Sequence, residues 1–587
     1  MPRAPRLALL ALLAAGCLKI PAGEVPEATG PEAQVQNNLV AWPGKPPGQL
    51  YAVGEVRAYT LSQNGKAIGT SWGRYEGPVD GEPGLHRFAT RIELTPPRGD
   101  GKPPEPLRSA GELVVDARGN LVRGFERSRA AELTFARKGD ALVFQAGREK
   151  DEITYRDGDA FMAFSAIFHE ELMFGLRRLA EGELAWRLVS LSGSMPTEWT
   201  ATLSLPDPKA PGVAHVTTSL GEKIFLRDGR IERIEIAADD VEVVAPPRPP
   251  AWPTWEIAGP PVLTYSPPPG AAFTIRPVEL PGQQGEPRLF GDVLVPARGK
   301  APHPAALFLS STGQQDRHGF AGPPPVDLGS HAITDALADA GFVVLRYDER
   351  GFGESADGPI SYLGQLEDAR RALRTLLVQD EVDPDRVVLV GHGEGGWKAL
   401  TLAAEDPSVR AVALLGAPGR PYEQILRDQG EAALQAVPPQ LRGEARKSQD
   451  KTLLALKTGQ NVPPELAAQA LWIREILQVS PEALVAAGEA PLWIAQGDKD
   501  FEVDPSRDPA ELVKLAKRHK RRAEMKLFRD LDHLFKREPG DSTPARYLDM
   551  SRAVDPAFLG ELSAWLMGQV KPPAAPRGSP GGTPRAR

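Results

Sequence analysis

The stretch that decides the fold of the second half of this chain is RVVLVGHGEGGWKAL, residues 386–400. Residues 387–390 are apolar and mostly β-branched, the following glycines are interrupted only by His392 and Glu394, and a helical pattern comes next. A short apolar run of this kind is typical of a buried strand, and consecutive glycines permit a very tight turn. The stretch therefore predicts a strand, a sharp turn and the start of a helix.

One interpretation of the turn is a dinucleotide site, because Gly391, Gly393 and Gly396 spell G-x-G-x-x-G. That fingerprint needs an acidic residue about 20 residues further on, at the end of the next strand, to bind the ribose. The next predicted strand, residues 409–415, is followed by Gly-Ala-Pro without an acid. Earlier strands and helices also precede the turn, whereas the fingerprint opens the first βαβ unit. These observations disfavour a dinucleotide cofactor.

The other interpretation is a nucleophile elbow, the turn G-x-S-x-G that holds a serine hydroxyl above a sheet on a strained backbone. The residues that fit a G-H-S-E-G-G form of this turn are Gly391, His392, Glu394, Gly395 and Gly396. The apex, where the serine belongs, is Gly393. The sequence thus predicts an elbow whose nucleophile is missing.

Composition limits the class of protein. A chain of 587 residues is too long for one hydrophobic core, so two or more domains are expected. Hydrophobic residues make up 41% and charged residues 25%, as in soluble globular domains. The formal net charge is −8 and there is no long basic run, which argues against a nucleic-acid partner.

The N-terminus has the pattern of an export signal. Arg3 and Arg6 precede a short apolar segment, residues 7–15, and the single cysteine of the chain, Cys17, ends the tetrapeptide AAGC. This tetrapeptide resembles the lipobox of bacterial lipoproteins, with Ala14 where leucine is usual. The resemblance implies lipidation at Cys17 and an exported, membrane-anchored protein of the bacterial cell envelope. A secretory signal with an incidental cysteine, and hence a secreted protein, remains the alternative.

The first half of the chain predicts a mostly antiparallel β domain. Runs of alternating polar and β-branched residues recur, and turn residues at 116–120 and 227–229 mark two hairpins. A helical pattern at residues 162–180 predicts one helix laid on the sheet, with His169, Glu170 and Glu171 on its polar face rather than in a metal site. We expect a binding or structural role for this domain.

After a proline-rich linker the pattern changes to alternating strands and helices, which predicts a mostly parallel sheet with helices on both faces. Eight strands are predicted, at residues 273–278, 289–295, 305–310, 342–347, 387–390, 409–415, 492–496 and 525–528. The predicted organisation is a signal peptide (1–17), a flexible tether (18–48), the β-rich domain (49–244), the linker (245–271), an α/β domain (272–570) with a helical insertion (419–489), and a disordered tail (571–587).

Four further motifs occur in this α/β domain. They are LSSTGQQDR at residues 309–317, RYDERGFGES at 346–355, GDKDFEV at 497–503 and LDHLF at 531–535. Together with the glycine turn, and in this order, they resemble the motifs of α/β-hydrolases of the esterase and serine-aminopeptidase type. Asp532 departs from the asparagine that the last motif usually has. The resemblance implies an α/β-hydrolase fold with a lid formed by the insertion.

The resemblance also implies roles for individual residues. Asp500 and His533 match the acid and the base of a Ser-Asp-His mechanism, in that chain order. The oxyanion donors would be backbone N–H groups of Glu394 and of the loop at Ser311 and Thr312. The implied ligand is a small ester or acyl compound, with no cofactor and no metal.

Two hypotheses about function follow from Gly393, which has no side chain with which to form an acyl-enzyme. In the first, the chain is a carboxylic ester hydrolase that is weakened or inactive, or that uses another nucleophile such as a hydroxyl from residues 310–312. In the second, it is a non-catalytic binding or scaffold lipoprotein that uses the hydrolase cleft and the β domain. Because glycine adopts the strained apex conformation freely, the pocket is expected to stay well formed in either case.

Overall fold

The structure is a computed structural model. It describes residues 41–95, 106–129, 132–146, 149–162, 166–176, 178–180, 182–190, 197–204, 213–218, 221–236, 240–283, 285–311, 315–322, 325–434, 442–462, 466, 469–540 and 542–570. The predicted signal peptide with its lipidation site at Cys17, most of the predicted tether, Thr312 and the predicted tail lie outside these residues. No helix in the described ranges is both long and apolar enough to span a bilayer.

The chain divides into two compact units near residue 262. The first contains the residues up to Val262 with two short segments, 323–325 and 436–448, and the second contains the remainder. Each unit is described by itself below.

The first unit is built almost entirely of strands. They are β1 (Ala41–Pro43), β2 (Val56–Gln63), β3 (Lys66–Pro78), β4 (Leu85–Leu94), β5 (Leu107–Asp116), β6 (Leu121–Ser128), β7 (Glu132–Lys138), β8 (Ala141–Ala146), β9 (Glu149–Thr154), β10 (Ala160–Met162), β11 (Arg178–Ala180), β12 (Gly182–Ser190), β13 (Thr197–Ser204), β14 (Val213–Thr218), β15 (Glu222–Arg227), β16 (Arg230–Ile236) and β17 (Val241–Val244). Its helices are α1 (Pro47–Leu50) and α2 (Ala166–Leu176).

Fifteen of these strands form one sheet in the order β10-β12-β13-β14-β15-β16-β17-β2-β3-β4-β5-β6-β7-β8-β9. Every neighbouring pair is antiparallel except β10 and β12. Both predicted hairpins are present: Asp116 accepts the backbone N–H groups of Arg118 and Asn120 between β5 and β6. Between β15 and β16, Asp228 and Gly229 both have positive φ, as a two-residue hairpin turn of this type requires. The mostly antiparallel β domain is confirmed.

Two expectations for this unit were wrong. Residues 170–176 of α2 are buried without exception, so Glu170 and Glu171 do not lie on a solvent-facing side, while the His169 side chain lies outside what the structure describes. Instead the carboxylate of Glu171 is fully buried and accepts hydrogen bonds from the Tyr51 hydroxyl (3.0 Å), from Arg57 (2.9 Å to Nη2) and from the backbone N–H of Ile231 (2.9 Å). A carboxylate is stable in a core only when it is paired and hydrogen-bonded in this way.

The predicted tether also ends earlier than residue 48. Strand β1 pairs antiparallel with β11. The side chain of Leu50, the last residue of α1, belongs to the hydrophobic core of the unit. Proline-rich residues 245–271, by contrast, contain neither helix nor strand, as expected. In this segment the Arg74 guanidinium lies over the ring of Trp252, with Cζ of Arg74 4.3 Å from the ring centre.

The second unit contains an eight-stranded sheet with helices between its strands. The strands of the unit are β18 (Phe273–Leu280), β19 (Leu289–Pro296), β20 (His303–Leu309), β21 (Phe320–Ala321), β22 (Val326–Asp327), β23 (Val343–Tyr347), β24 (Val382–His392), β25 (Val409–Leu415), β26 (Leu492–Gly497) and β27 (Ala523–Phe528). The helices are α3 (Ser330–Asp339), α4 (Tyr362–Leu377), α5 (Gly395–Glu405), α6 (Tyr422–Leu434), α7 (Arg442–Thr458), α8 (Ala470–Ile476), α9 (Pro481–Ala487), α10 (Asp508–Arg518) and α11 (Pro556–Gln569), with a 3₁₀ turn at Pro544–Leu548. Residues 442–448 of α7 are assigned to the first unit and the rest of this helix to the second.

The strand order in this sheet is β18-β19-β23-β20-β24-β25-β26-β27. The pairs of β19 with β18 and with β23 are antiparallel, and all others are parallel. All eight predicted strands are present in the sheet. Helices α6 to α9 lie between β25 and β26, and the described residues of this insertion contain no strand. The predicted α/β-hydrolase fold with a helical insertion is confirmed.

The position of the central strand β24 explains why residues 387–390 are all apolar. Val387 and Leu389 belong to the core on one face of the sheet, and Val388 and Val390 to the core on the other. All four are fully buried. A parallel strand covered by helices on both faces has to be apolar throughout. Because β24 is buried at the centre of the sheet, the turn that follows it has a fixed position at the carboxyl edge of the sheet.

Candidate active site

The turn after β24 has the shape of a nucleophile elbow. Gly393 has a φ of +53°, in the left-handed region that is costly for residues with a side chain. Its N–H donates to the Leu415 carbonyl of β25 (2.8 Å), and its carbonyl accepts from Gly396 at the start of α5 (3.1 Å). The turn is therefore fixed by the sheet on one side and by the helix on the other.

The flanking glycines are required by close packing. A Cβ on Gly391 would lie 2.4 Å from the carbonyl oxygen of Gly395, and one on Gly395 would lie 2.2 Å from that of Leu309. A Cβ on Gly396 would lie 2.6 Å from the Cβ of Ala417. The beginning of α5 is thus pressed against the end of β20, which leads into Ser311.

His533 and Asp500 form a buried pair. The Nδ1 atom of His533 lies 2.7 Å from Oδ2 of Asp500. The same carboxylate accepts the Gln496 side-chain amide at 2.8 Å and the backbone N–H groups of Glu502 and Val503 at 2.8 and 2.9 Å. Donors on both oxygens hold the carboxylate in place, so it orients the imidazole with the Nδ1–H group toward Asp500 and Nε2 turned away.

A serine hydroxyl lies on the other side of this imidazole. Oγ of Ser311 is 3.4 Å from Nε2 of His533, and the Ser311 side chain is buried. A Cβ built on Gly393 would lie 2.2 Å from this oxygen and 3.3 Å from His533 Nε2. The Ser311 hydroxyl therefore occupies the space in which a side chain at residue 393 would begin.

Two residues pack tightly around the pair: His392, which the sequence placed in the elbow, and Gly416, which the sequence did not assign a role. The ring of His392 stacks on that of His533, with centres 4.7 Å apart, and its Nε2 lies 2.8 Å from the His533 carbonyl oxygen. Burial, and then the neighbouring His533, lower the pKa of His392 to about 3, so this ring is neutral and donates to that carbonyl. Gly416 lies behind the pair, since a Cβ there would be 3.1 Å from His533 Nδ1 and 3.2 Å from Asp500 Oδ2.

The electrostatic environment favours a protonated His533. Burial by itself lowers the pKa of His533, but the carboxylates of Asp500 and Glu502 outweigh burial and raise the pKa to about 10. Oε2 of Glu502 lies 3.8 Å from His533 Nε2, and the hydroxyl of Tyr547 donates to its other oxygen at 2.5 Å. The sequence had indicated Asp500 as a neighbour of His533 but not Glu502.

Behind the Ser311 loop lies a second buried cluster. The Ser310 hydroxyl donates to Oε1 of Glu349, and burial raises the pKa of this carboxyl group to about 7. Lys398 lies 2.9 Å from the carboxylate of Glu394, with both side chains 3% exposed. Attraction by Glu394 and Glu349 outweighs the effect of burial and raises the pKa of Lys398. Glu394 is also the N-cap residue of α5, so its backbone N–H lies at the positive end of the helix.

The remaining motif residues support the loops of the site. Arg317 donates to Asp348 (2.6 Å to Oδ2) and to Asp292 (2.9 Å), and all three are buried. A Cβ on Gly353 would lie 2.2 Å from the Asp348 carboxylate, which accounts for the second glycine of that motif. This ion-pair network ties the loop after β20 to the turn after β23.

Asp532 has a structural explanation for its departure from asparagine. Its carboxylate accepts the backbone N–H groups of Leu534 and Lys536 at 3.0 Å each, and pairs with the buried guanidinium of Arg552 at 2.5 Å. The negative charge at residue 532 is thus matched by a cation that asparagine would not need. This contact holds the turn that carries His533.

The structure therefore brings together Gly393, His392, Ser311, Asp500 and His533, while Thr312 lies outside the described residues. Within the described ranges, no three His, Cys, Asp or Glu side chains are arranged to hold a metal ion.

Comparison with known proteins gives the following similarities. The family described as serine aminopeptidase, S33, matches residues 329–540. Esterase EstD of Thermotoga maritima is 26% identical over 283 residues, which cover 47% of this chain and 65% of that protein. The uncharacterized protein YfhR of Escherichia coli O157:H7 is 30% identical over 153 residues, which cover 26% of this chain and 49% of that protein. The chain thus spans less than two thirds of the length of each of these curated relatives.

Among solved structures, the Pyrococcus furiosus esterase Pf2001 covers 53% of this chain and 97% of its own, with 14% sequence identity and a TM-score of 0.37.

Proposed function

We propose that the second unit of this chain, which is a member of the α/β-hydrolase superfamily, hydrolyses carboxylic esters or other small acyl substrates at a low rate. The observation that carries the proposal is the 2.7 Å contact between His533 Nδ1 and Asp500 Oδ2, with Nε2 of the same imidazole facing a hydroxyl 3.4 Å away. This arrangement has a base, a group that orients the base, and an oxygen from which the base could remove a proton.

Physical chemistry limits the rate of such a site. A base with a pKa raised to about 10 is mostly protonated at neutral pH, so only a small fraction of molecules would have a base ready to accept a proton. The 3.4 Å contact is also longer than a strong hydrogen bond. Both features argue for slow turnover, in keeping with the loss of the ordinary nucleophile at residue 393.

Similarity to known proteins supports the choice of reaction class. The relative from Thermotoga maritima is named as an esterase, and the family matched by residues 329–540 is described as a serine aminopeptidase. Ester and amide hydrolysis both proceed by acyl transfer and need the same base and oxyanion donors. We therefore place this chain among acyl hydrolases, with esters as the first substrates to test.

We also propose that the chain acts as an exported lipoprotein, attached to the membrane of the cell envelope through lipid on Cys17. The proposal rests on the charged, apolar and AAGC segments of residues 1–17. The substrate would then be a small ester or acyl compound that reaches the envelope, and nucleic acid is not a partner.

A non-catalytic binding or scaffold function is the second candidate. It is favoured by one observation, the absence of any side chain at the elbow apex, Gly393. In that case the cleft would bind an acyl ligand without cleaving it.

The test is hydrolysis of p-nitrophenyl acetate and butyrate by the full-length chain in detergent, compared with His533→Ala and Asp500→Asn. We expect a measurable rate for the wild type and a loss of about 10²- to 10⁴-fold in both variants, since that is the usual contribution of general acid–base catalysis. Melting temperatures of the three proteins would exclude unfolding as the cause. Equal rates for the wild type and His533→Ala would contradict the proposal and favour the binding function.

A further inference from the structure

We propose that Ser311 is the nucleophile of this site, so that the reactive hydroxyl comes from the loop after β20 instead of from the elbow. The inference deepens the proposed function and rests on it. It assigns the step that the sequence left without a residue, namely attack on the acyl carbon.

Ser311 lies next to the imidazole of His533. Within the described part of the chain, the Ser311 hydroxyl is the side-chain hydroxyl within hydrogen-bonding distance of His533 Nε2. The neighbouring hydroxyl of Ser310 donates to Glu349 instead. The two adjacent serines thus have different partners, one in the buried cluster behind the loop and one at the catalytic base.

The Ser311 hydroxyl and a side chain at residue 393 compete for the same space. The Ser311 oxygen lies 2.2 Å from the place of a Cβ on Gly393, a distance that no side chain at residue 393 could tolerate without moving Ser311. Glycine at the apex is therefore what admits the Ser311 hydroxyl to the imidazole. The glycine and the serine together replace one elbow serine, with the oxygen brought to nearly the same place from a different strand.

The N-terminus of α5 gives the surroundings of Ser311 a positive potential. Gly395, the first residue of α5, packs so closely on the end of β20 that a Cβ there would lie 2.5 Å from the Ser310 carbonyl oxygen. The N-terminus of this 11-residue helix therefore lies beside Ser311. The positive end of a helix stabilises the negative oxygen that forms when a nucleophile adds to a carbonyl group.

The reaction can be written with its atoms in balance. Ser311 Oγ bonds to the ester carbonyl carbon while its proton passes to His533 Nε2. The carbon–alkoxy bond then breaks, and His533 returns the proton to the departing alcohol, which leaves an acyl group on Ser311. Water adds to this acyl-enzyme with His533 again taking and returning the proton, so that ester and water become carboxylic acid, alcohol and free Ser311.

The experiment combines kinetics with covalent labelling of the full-length chain. Ser311→Ala is compared with Ser563→Ala, which removes a similarly buried serine hydroxyl on α11, remote in sequence from the site motifs. We expect p-nitrophenyl butyrate hydrolysis to fall at least about 100-fold in Ser311→Ala and to be unchanged in Ser563→Ala. A fluorophosphonate probe is expected to add its phosphonyl mass to the peptide containing Ser311, and not when His533 is alanine.

Ser311→Cys keeps the test decisive if the alanine variant fails to fold. A thiol beside a cationic imidazole is ionised at lower pH, so we expect iodoacetamide to alkylate residue 311 at least about tenfold faster in Ser311→Cys than in Ser311→Cys/His533→Ala. Peptide mapping separates this cysteine from Cys17. Equal alkylation rates would overturn the inference.

Failure of this inference is distinguishable from failure of the proposed function. If Ser311→Ala keeps its activity while His533→Ala loses it, His533 activates water directly; the inference is then wrong and the hydrolase function stands. If the wild type is no more active than His533→Ala, the proposed function itself is wrong.

Discussion

At the scale of single residues, the site depends on whether residue 393 has a Cβ atom, because Ser311 Oγ occupies the space beside it. An ordinary elbow serine needs a Cβ at residue 393, and that Cβ would lie 2.2 Å from Ser311 Oγ and 3.1 Å from Ser311 Cβ. With Ser311 Oγ in this position, residue 393 has no room for a side chain, and a side chain there would have to turn the Ser311 hydroxyl away. Restoring the serine that the family pattern calls for is therefore a test of packing as well as of chemistry.

We predict that Gly393→Ser alone does not raise the rate of ester hydrolysis. The new side chain would displace the Ser311 hydroxyl from His533, and a side chain at the positive φ of residue 393 adds about 1–3 kcal/mol of backbone strain, so the free energy of unfolding should fall as well. Gly393→Ser/Ser311→Gly removes the colliding atoms and should be more active than Gly393→Ser. The measurements are kcat/KM for p-nitrophenyl butyrate and urea unfolding. A single variant that is more active than the wild type and equally stable would contradict the prediction.

The pH dependence of the rate is a second prediction at this scale. Burial lowers the pKa of His533, but the carboxylates of Asp500, Glu502 and Asp532 outweigh it and raise the pKa to about 10. The ring of His392, which stacks on His533, is neutral. Because the base must be neutral to accept a proton, kcat/KM should rise about tenfold per pH unit between pH 7 and pH 9. A maximum near pH 7 would contradict this.

One substitution should shift this pH dependence and raise the activity at neutral pH. Glu502→Gln removes the negative charge 3.8 Å from His533 Nε2 and should lower the pKa of His533. We therefore expect Glu502→Gln to be more active than the wild type at pH 7, with the rising limb of the profile moved to lower pH. Glu561→Gln, a substitution on the surface of α11, is the matched control and should leave the profile unchanged.

How far the site could be predicted from the sequence depends on the range of each contact. Asp500 and His533 follow from local motifs, because each lies at a fixed place after its strand. The approach of Ser311 to His533 joins residues 222 positions apart in the chain, and no local pattern records a distance across the sheet. The burial of Glu349 and Lys398 was missed for the same reason.

At the scale of elements, one of the contacts between the helical insertion and the body of the second unit lies at the N-terminus of α4. Ser361 caps α4 by accepting the Gly364 N–H at 3.1 Å. The Ser361 hydroxyl also donates to Glu475 of α8 at 2.7 Å, and Glu475 accepts the Leu363 N–H at 3.0 Å. A carboxylate at the N-terminus of a helix is also stabilised by the helix dipole. One residue of the insertion thus completes the cap of a helix beside the sheet.

We predict that Ser361→Ala lowers the free energy of unfolding by more than the loss of a cap. Removing an N-cap serine costs about 1 kcal/mol, and a hydrogen bond to a charged group adds about 1.5 to 3 kcal/mol where it is buried. Ser480→Ala is the matched control, since Ser480 caps α9 by accepting the Ala483 N–H at 3.2 Å on an exposed turn. Urea unfolding measures both. Equal losses would mean that the contact with Glu475 adds nothing.

The elements themselves were predictable where one pattern decided them. The eight strands of the second unit are apolar runs between helical patterns, and a strand buried on both faces leaves no other interpretation. Helix α2 was predicted from its pattern, but the burial of Glu170 and Glu171 was not, because two adjacent carboxylates suggest a solvent-facing side. The partners that make burial of Glu171 tolerable, Tyr51 and Arg57, lie 120 and 114 residues away and give no local pattern.

At the scale of the whole molecule, the two units differ in architecture and in the residues that they contain. The first is a broad antiparallel sheet around a buried helix, and its described part contains no metal-binding cluster. The second holds the buried His–Asp pair. Because each unit has its own hydrophobic core, loss of the proposed lipid anchor should not alter the chemistry of the second.

The last prediction concerns that attachment. If the AAGC segment directs lipidation, Cys17→Ser should abolish incorporation of labelled fatty acid and move the protein from the membrane fraction to the soluble fraction. Burial of an acyl chain contributes about 0.8 kcal/mol for each CH₂ group, so loss of the lipid removes most of the affinity for the bilayer.

Hydrolysis of p-nitrophenyl butyrate by the Cys17→Ser variant should equal that of the wild type, because the second unit is unchanged. The control is Ala14→Leu, which brings the segment closer to the usual lipobox and should keep or increase labelling. A Cys17→Ser protein that stays in the membrane fraction would show that another segment holds it there. A wild-type protein that takes up no label would instead favour the plain secretory signal, and with it an ester hydrolase that acts in solution outside the cell membrane.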